Sequence, residues 1–368
     1  MVPFVDLKIQ YMSIAQEIEP QMRKVLTEAN FILGEPVAYF EKNFAAFCDS
    51  KHCIGVASGT DALHLALRAL GLSKDDEIIT QANTFVATVL AISYTGAKPV
   101  LVDIESETFN MDLAQLEAKI TSRTKAIMPV HLYGRALDMT RLMGLAQKYG
   151  IKVIEDACQS HGALWGGRKT GSFGVMGCFS FYPGKNLGAY GDAGAIVTSD
   201  DTLNKSLKML RNYGSPKKYY HDSLGYNSRL DTLQAAVLGV KLKHLPQWNQ
   251  KRIHNARLYN EKLNRVGDII TPQIVSSDGH VFHLFVVRTK KRDSLLQYLH
   301  EHDIQAGIHY PVPIYSLGAY ASLGLNAKDY PVTEELSKEI LSLPMYPELT
   351  EAQIDEVVGC IKDFFKKC

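Results

Sequence analysis

From His52 onward, short apolar runs of four to six residues alternate with longer stretches in which apolar residues recur every three or four positions. The first pattern predicts strands and the second helices. In order these are strand His52–Ala57, helix Asp61–Leu70, strand Glu77–Thr80, helix Thr84–Tyr94, strand Pro99–Val102, helix Asp112–Ile120, strand Lys125–Val130, helix Met139–Tyr149 and strand Lys152–Glu155. Such alternation makes crossover units, hence an α/β fold with a mostly parallel sheet covered by helices on both faces. Upstream, Ser13 reads as the cap of helix Ile14–Ala29 and Pro36 opens helix Val37–Phe47, with a turn at 30–34 between them. Downstream, two β-favouring runs, Val175–Tyr182 and Ala193–Thr198, flank a glycine-rich turn. Helix Asp200–Arg211 follows, then an irregular aromatic and basic loop to Asn227. Leu230–Leu263 reads as one long helix or two, with Pro246 as the expected kink. The tail from Asp278 predicts strand Val281–Arg288, helix Arg292–His302, a Pro/Tyr-rich segment and a terminal helix, Thr350–Lys366. This pattern divides the chain into a large domain, 1–240, and a smaller α+β domain, 241–368.

Composition narrows the class. At 368 residues and 46% hydrophobic content the chain can bury a large core. A net charge of +1 with no long basic stripe argues against a nucleic-acid partner. The six cysteines form neither a CxxC pair nor a Cys/His set with zinc spacing, which suits a reduced, cytoplasmic protein and predicts no metal site. The first residues, MVPFVDLKIQYM, lack the layout of a cleavable signal, and no apolar run approaches membrane-spanning length.

Ligands of parallel sheets gather at the carboxyl ends of the strands, so the residues that follow each strand matter most. After the first strand comes Ala57-Ser58-Gly59-Thr60-Asp61, a small-residue turn feeding a helix, where backbone amides could bind a phosphate. The same turn also reads as ordinary capping by Thr60 or Asp61. Asn83-Thr84-Phe85 brings an aromatic ring to this rim, and Asp156, Gln159 and Ser160 follow strand Lys152–Glu155. A carboxylate at the end of an apolar strand needs a cationic partner or donors, and a pyridinium nitrogen would be such a partner; a helix cap is the plainer reading. Lys185 lies in the glycine-rich turn between two strands expected to be buried. Desolvation there would supply the neutral amine that forms a Schiff base, whereas a hairpin tip would leave an ordinary solvated lysine. Two rival phosphate motifs fail on spacing. Gly184-Lys185 is followed by Asn186 rather than Ser or Thr, and Gly188, Gly191 and Gly194 do not keep the G-x-G-x-x-G interval.

The runs SFYPGKNLGAYGDAGAIVTSD, IEDACQSHGA, ASGTDALHLAL, ANTFVAT, PVHLYG and GYNSRLDTLQAA resemble the DegT/DnrJ/EryC1/StrS family of sugar aminotransferases, in order and over nearly the whole chain. The resemblance implies the aspartate-aminotransferase fold (fold type I) and pyridoxal 5'-phosphate as cofactor, with pyridoxamine 5'-phosphate formed in turnover. It implies that Lys185 carries the cofactor, Asp156 pairs with its pyridine nitrogen, Gln159 bonds its ring hydroxyl and Phe85 stacks on the ring. Gly59, Thr60 and Ser180 would hold the phosphate together with Asn227 of the partner subunit in a homodimer with shared sites.

Within the family, FYPGKNLGAYGDAGA and PVHLYG look most like the branch that aminates C3 of dTDP-linked 3-keto-6-deoxyhexoses in deoxysugar biosynthesis, with glutamate as donor. Asp192-Ala193 stands where Glu-Gly is common in the wider family, and Lys185 argues against the related dehydratases, which carry histidine there. Candidates for the hexose are Tyr182, His309 and Tyr310, and for the diphosphate Lys217, Tyr219 and Arg229. The alternatives are a C4 aminotransferase, a lyase or aldolase using the same cofactor, and a non-catalytic ligand-sensing domain. No helix-turn-helix or basic segment precedes Cys53, which speaks against the last.

Overall fold

The computed structural model describes residues 1–274 and 279–367; Asp278, where the tail is taken to begin, and Cys368 lie outside the described residues. Two helices lead the chain, α1 (Leu7–Glu28) and α2 (Glu35–Phe47). Asp6, not Ser13, caps α1: its carboxylate accepts from the N–H groups of Lys8 and Ile9, both at 3.0 Å. Ser13 lies in the second turn, where the backbone donors already have partners, and its hydroxyl donates back to the carbonyl of Gln10.

The alternating region runs β1 (His52–Val56), α3 (Gly59–Ala69), β2 (Glu77–Gln81), α4 (Val86–Tyr94), β3 (Lys98–Val102), α5 (Leu113–Leu116), β4 (Thr124–Ile127), α6 (Met139–Tyr149) and β5 (Lys152–Asp156). A two-residue ladder, β6 (Leu164–Trp165) with β7 (Arg168–Lys169), precedes β8 (Met176–Ser180) and β9 (Gly194–Thr198). Seven strands form one sheet in the order β1-β9-β8-β5-β4-β2-β3. All neighbours are parallel except that β9 runs against both β1 and β8. The carboxyl ends of β1, β2, β4, β5 and β8 therefore share one edge, as the crossover pattern requires. Ser58, rather than Thr60 or Asp61, caps α3, its hydroxyl accepting from the Asp61 N–H at 3.1 Å. Ser58 keeps extended backbone while Thr60 and Asp61 are already helical, so only Ser58 can reach back to the first-turn donors.

After α7 (Asp201–Leu210) and the loop, α8 (Thr232–Lys262) runs as one helix with Pro246 inside it. Its first half buries Leu238, Leu242 and Leu245 with Phe40, Phe44 and Phe181 against the sheet. Its second half buries Ile253, Ala256 and Tyr259 in a separate core built with β10 (Phe285–Arg288), α9 (Arg292–Glu301), β11 (Ile340–Leu343) and α11 (Glu351–Lys367). Strand β10 is shorter than the apolar run Val281–Arg288. Residues 281 and 284 bond instead to the turn after β4, Val281 N–H to Gly134 O at 2.9 Å and Leu284 N–H to Tyr133 O at 3.2 Å. The Pro/Tyr-rich segment holds a further helix, α10 (Pro331–Glu339), opened by its proline and leading directly into β11. No helix among the described residues is long and apolar enough to cross a membrane.

Candidate active site

Asp156 ends β5 in the middle of the sheet, almost wholly buried, and its carboxylate is held from two sides. Thr88 Oγ1 donates to Oδ2 at 2.8 Å and the Cys158 N–H to Oδ1 at 3.2 Å. Thr84, just ahead of α4, and Thr88, in its first turn, bond each other at 2.8 Å, and this fixes the Thr88 hydroxyl. A carboxylate offers about four acceptor positions, so Asp156 keeps capacity for a further donor. Beside it, Glu155 is buried completely and accepts four bonds, from His131 Nε2 at 3.0 Å and from the N–H groups of Gly171, Phe173 and Gly174. His131 Nδ1 accepts from the Leu137 N–H, so Nε2 carries the proton. These bonds fasten the loop before β8 to the strand that carries Asp156.

Lys185 sits in the turn between β8 and β9, partly buried, with its Nζ 3.5 Å from His283 Nε2. Among the described residues no carboxylate lies within ion-pair distance of it. Desolvation pushes the ammonium's pKa down, and the neighbouring Cys158 and Asp156 only partly offset it. Helix α8 holds the turn at several points. Gln234 Oε1 accepts from the Tyr190 N–H at 2.8 Å and Lys241 Nζ donates to Gly188 O at 2.8 Å. Asn249 Oδ1 accepts from Asn186 Nδ2 at 2.9 Å, and Asn186 also donates to Val281 O.

Gly59, the first residue of α3, lies against Ser180 at the end of β8: a Cβ on Gly59 would stand 2.5 Å from the Ser180 Cβ, so no larger residue fits. This brings a helix N-terminus, the Ser180 hydroxyl and the adjacent Thr60 to one corner, an arrangement that suits a phosphate. Gln159 is oriented by the Tyr133 N–H, which donates to its Oε1 at 2.8 Å, and its Nε2 lies 3.5 Å from the Tyr310 hydroxyl. Phe85 presents a half-exposed ring and packs on Tyr310, centroids 5.3 Å apart. His309 stacks on Phe4, and its Nδ1 lies 2.9 Å from Ser342 Oγ, so β11 supports the ring from below.

The structure thus brings Gly59 and Ser180 together at one corner, and Asp156, Gln159, Phe85, Lys185, His309 and Tyr310 into one neighbourhood. Tyr182, three residues before Lys185, is exposed. Lys217 and Tyr219 project into solvent on the 212–229 loop, where Lys217 lies over the Tyr220 ring and Lys218 over Tyr219. Arg229 bonds Asn212 Oδ1 and lies over the Tyr213 ring. Asn227 is exposed and bridges Asn212 through its backbone, while the next residue, Ser228, accepts from the Ala57 N–H. None of these four loop residues bonds to the Lys185 neighbourhood within the chain.

Sequence reasoning missed Thr88, His161 and His283. The Thr84/Thr88 spacing of four on a helix that opens at the rim could have shown the first. His161 follows Gln159 by two residues and donates from Nε2 to Ser180 O at 2.9 Å, inside the core. His283 interrupts an apolar strand run, which is an unusual place for an imidazole.

The description "DegT/DnrJ/EryC1/StrS aminotransferase family" matches residues 12–362. The chain is 46% identical, over 99% of each chain, to a "Pleiotropic regulatory protein" of Geobacillus stearothermophilus. It is equally identical, again over 99% of each, to a dTDP-3-amino-3,6-dideoxy-alpha-D-galactopyranose transaminase of Aneurinibacillus thermoaerophilus. A UDP-N-acetyl-3-dehydro-alpha-D-glucosamine 3-aminotransferase of Acidithiobacillus ferrooxidans is 45% identical over 98% of this chain and 97% of its own. Among solved structures, DesV of S. venezuelae in complex with a ketimine intermediate superposes with a TM-score of 0.97 at 43% identity, covering 100% of this chain and 99% of that one.

Proposed function

The chain belongs to the DegT/DnrJ/EryC1/StrS aminotransferase family, and from that premise we propose that it aminates C3 of a dTDP-linked 3-keto-6-deoxyhexose with glutamate as donor. As a family member it is a sugar aminotransferase that depends on pyridoxal phosphate. The observation that carries the finer reading is the likeness, over 99% of each chain, to a transaminase named for a dTDP-3-amino-3,6-dideoxyhexose. A second reading, C3 amination of a UDP-linked sugar, is favoured by the 45% identical relative named for that substrate. Both names place the nitrogen on C3, so position 3 is supported more strongly than the nucleotide.

The residues present suit the cofactor: a lysine with no carboxylate at ion-pair distance among the described residues, an aspartate with acceptor capacity to spare, an aromatic ring with an open face, and the Gly59–Ser180 corner. When bound, pyridoxal phosphate supplies the carbonyl that receives nitrogen and a ring that stores electrons. Lys185 would hold it covalently and, once displaced, carry the proton from the donor's α-carbon on Nζ. Asp156, oriented by Thr88 and the Cys158 N–H, would hold a proton on the ring nitrogen. Gln159 would bond the ring hydroxyl and Phe85 would cover one face. Gly59, Thr60 and Ser180 would take the phosphate with Asn227 of the partner subunit in a homodimer. The exposed Tyr213, Tyr219, Tyr220 and Leu224 give the loop an apolar surface suited to such a crossing. Tyr182, His309 and Tyr310 would face the hexose, and Lys217, Tyr219 and Arg229 its diphosphate.

The test is incubation of purified protein with glutamate and, in separate reactions, dTDP-3-keto-6-deoxyhexose, dTDP-4-keto-6-deoxyhexose and a UDP-linked 3-keto sugar, with products read by mass and NMR. An amine at C3 of the dTDP sugar is expected. Nitrogen at C4, or turnover confined to the UDP sugar, would refute the assignment.

A further inference from the structure

His283 lies just ahead of β10, where the second core meets the sheet edge, and its ring reaches Lys185. Its backbone is held from two sides. Arg252 of α8 donates from Nη1 to Phe282 O at 3.1 Å and to His283 O at 3.4 Å. Gly134 closes on it from the turn after β4: with φ at +97°, a Cβ there would stand 2.9 Å from the His283 nitrogen, so glycine is required on both counts. With the backbone so held, the ring stands with Nε2 3.5 Å from Lys185 Nζ. We propose that His283 is a positioning residue for Lys185: its Nε2 accepts a hydrogen bond from the lysine's nitrogen and holds that amine in place whenever it is not bound to the cofactor.

The chemistry of the pair supports this. The titratable groups facing His283 are Lys185, His161, His309 and Arg252, while Lys185 is faced besides by Asp156 and Cys158. Burial, and then the positive charge of Lys185 and Arg252, pushes the His283 imidazole well below its usual range, so it stays neutral and keeps a lone pair. Its Nδ1 is buried with no partner among the described residues, so no bond there locks the tautomer. The tautomer is then set by Lys185: against an ammonium, the lone pair turns to Nε2 and the proton resides on Nδ1. During transamination the lysine must leave the cofactor and remain close enough to move a proton, and a long flexible side chain without a carboxylate partner needs another anchor.

This inference rests on the reading that Lys185 carries the cofactor, and the experiment separates the two. Holoenzyme is first reduced with borohydride and mapped by mass; cofactor on a lysine other than Lys185 would sink the underlying reading and the inference with it. With Lys185 confirmed, wild type, His283→Phe and His283→Gln are converted to the pyridoxamine form with glutamate. Lys185, now free, is then acetylated with acetic anhydride across a pH series, and its labelling is read by peptide mass. His283→Phe keeps the volume but loses the acceptor, so the half-labelling pH of Lys185 should fall by about one unit, the weight of one charge-assisted hydrogen bond. In the same variant kcat should fall about tenfold or more with the glutamate KM nearly unchanged. His283→Gln, which keeps an acceptor, should restore both. If the Phe variant folds poorly by its thermal melt, His283→Leu is read in the same way. An unchanged labelling profile in the apolar variant, whether or not kcat falls, would overturn the proposal and leave His283 a packing residue.

Discussion

Lys241 is a fully buried lysine on α8, and its environment predicts how stability depends on pH. Its Nζ donates to Gly188 O at 2.8 Å and lies 4.4 Å from the centre of the Tyr190 ring. Desolvation lowers its pKa from 10.5 to about 8, with only a partial pull upward from Glu348. A lysine with a depressed folded value binds its proton more tightly in the unfolded chain. Between the two values the unfolded state holds more protons, so stability rises with pH there. Below about pH 8 both states are charged and the folded state carries the full cost of burial, on the order of 3 kcal/mol. From about pH 7 to about pH 9.5 that cost shrinks by about 2 kcal/mol.

The perturbation is Lys241→Met, which keeps an unbranched side chain of similar length and removes the titrating group. Thermal unfolding of both proteins through the same buffers cancels every other group. Wild type should gain on the variant by a few degrees in Tm between those pH values, since about 2 kcal/mol corresponds to that shift in a chain of this size. A difference that stays flat, or in which wild type falls further behind the variant toward alkaline pH, would show that the ammonium is not desolvated as the structure has it. The variant also takes a cationic donor from the Gly188 carbonyl, three residues from Lys185, so turnover should fall even where stability does not.

Asp156→Asn cannot hold a ring proton by charge, so the half-reaction with glutamate should slow by about 10²- to 10⁴-fold with a changed cofactor spectrum; an unchanged rate would reduce Asp156 to a structural residue. Glu155→Gln turns an amide NH₂ toward a nest of four donors and strands at least one of them in the core, so unfolding should be easier by about 3 kcal/mol. A loss below about 1 kcal/mol in that variant would contradict the bonds drawn to Gly171, Phe173 and Gly174. For the shared site, Lys185→Ala and Asn227→Asp chains, each inactive alone, should regain one working site of two when mixed under subunit exchange. No recovery, with exchange confirmed by native mass, would place Asn227 outside the neighbouring subunit's site.

The crossover region was legible because each strand is a short apolar run and each helix keeps one apolar face, so local pattern and tertiary burial agree. The placement of Asp156, Gln159 and Gly59 at or just past the carboxyl ends of β5 and β1 is legible for the same reason, and that of Lys185 because it lies in the turn between two apolar runs. What the letters hid were contacts made across the chain. The support of the Lys185 turn by Gln234, Lys241 and Asn249 joins residues 44 to 63 positions apart and has no local signature. The cap of α1 has no clear signature because Asp6 stands within the otherwise largely apolar MVPFVDLKIQYM, with no polar segment ahead of it to mark a start. Strand β11 is hidden behind α10, since Ile340-Leu341-Ser342-Leu343, mostly apolar and directly after a helix, reads equally well as its last turn.

The charges around Lys185 explain why a lysine, rather than one of the nearby histidines, suits the chemistry here. Three imidazoles surround it, and burial together with its own charge holds all three down, His161 to about 3 and His309 to about 4, with His283 well below its usual range. None can become a competing cation near neutral pH, and none can act as an acid there. Asp156, the carboxylate that acts on it among the described residues, is turned to Thr88 and the Cys158 N–H, outside ion-pair distance of the ammonium. The amine therefore meets a neutral acceptor, His283 Nε2, instead of a counter-ion. A counter-ion would raise its pKa and hold its proton, whereas a neutral acceptor orients the nitrogen and lets the proton go at a lower pH. A site arranged in this way favours a nitrogen that must attack a carbonyl, leave it, and pass a proton before it returns.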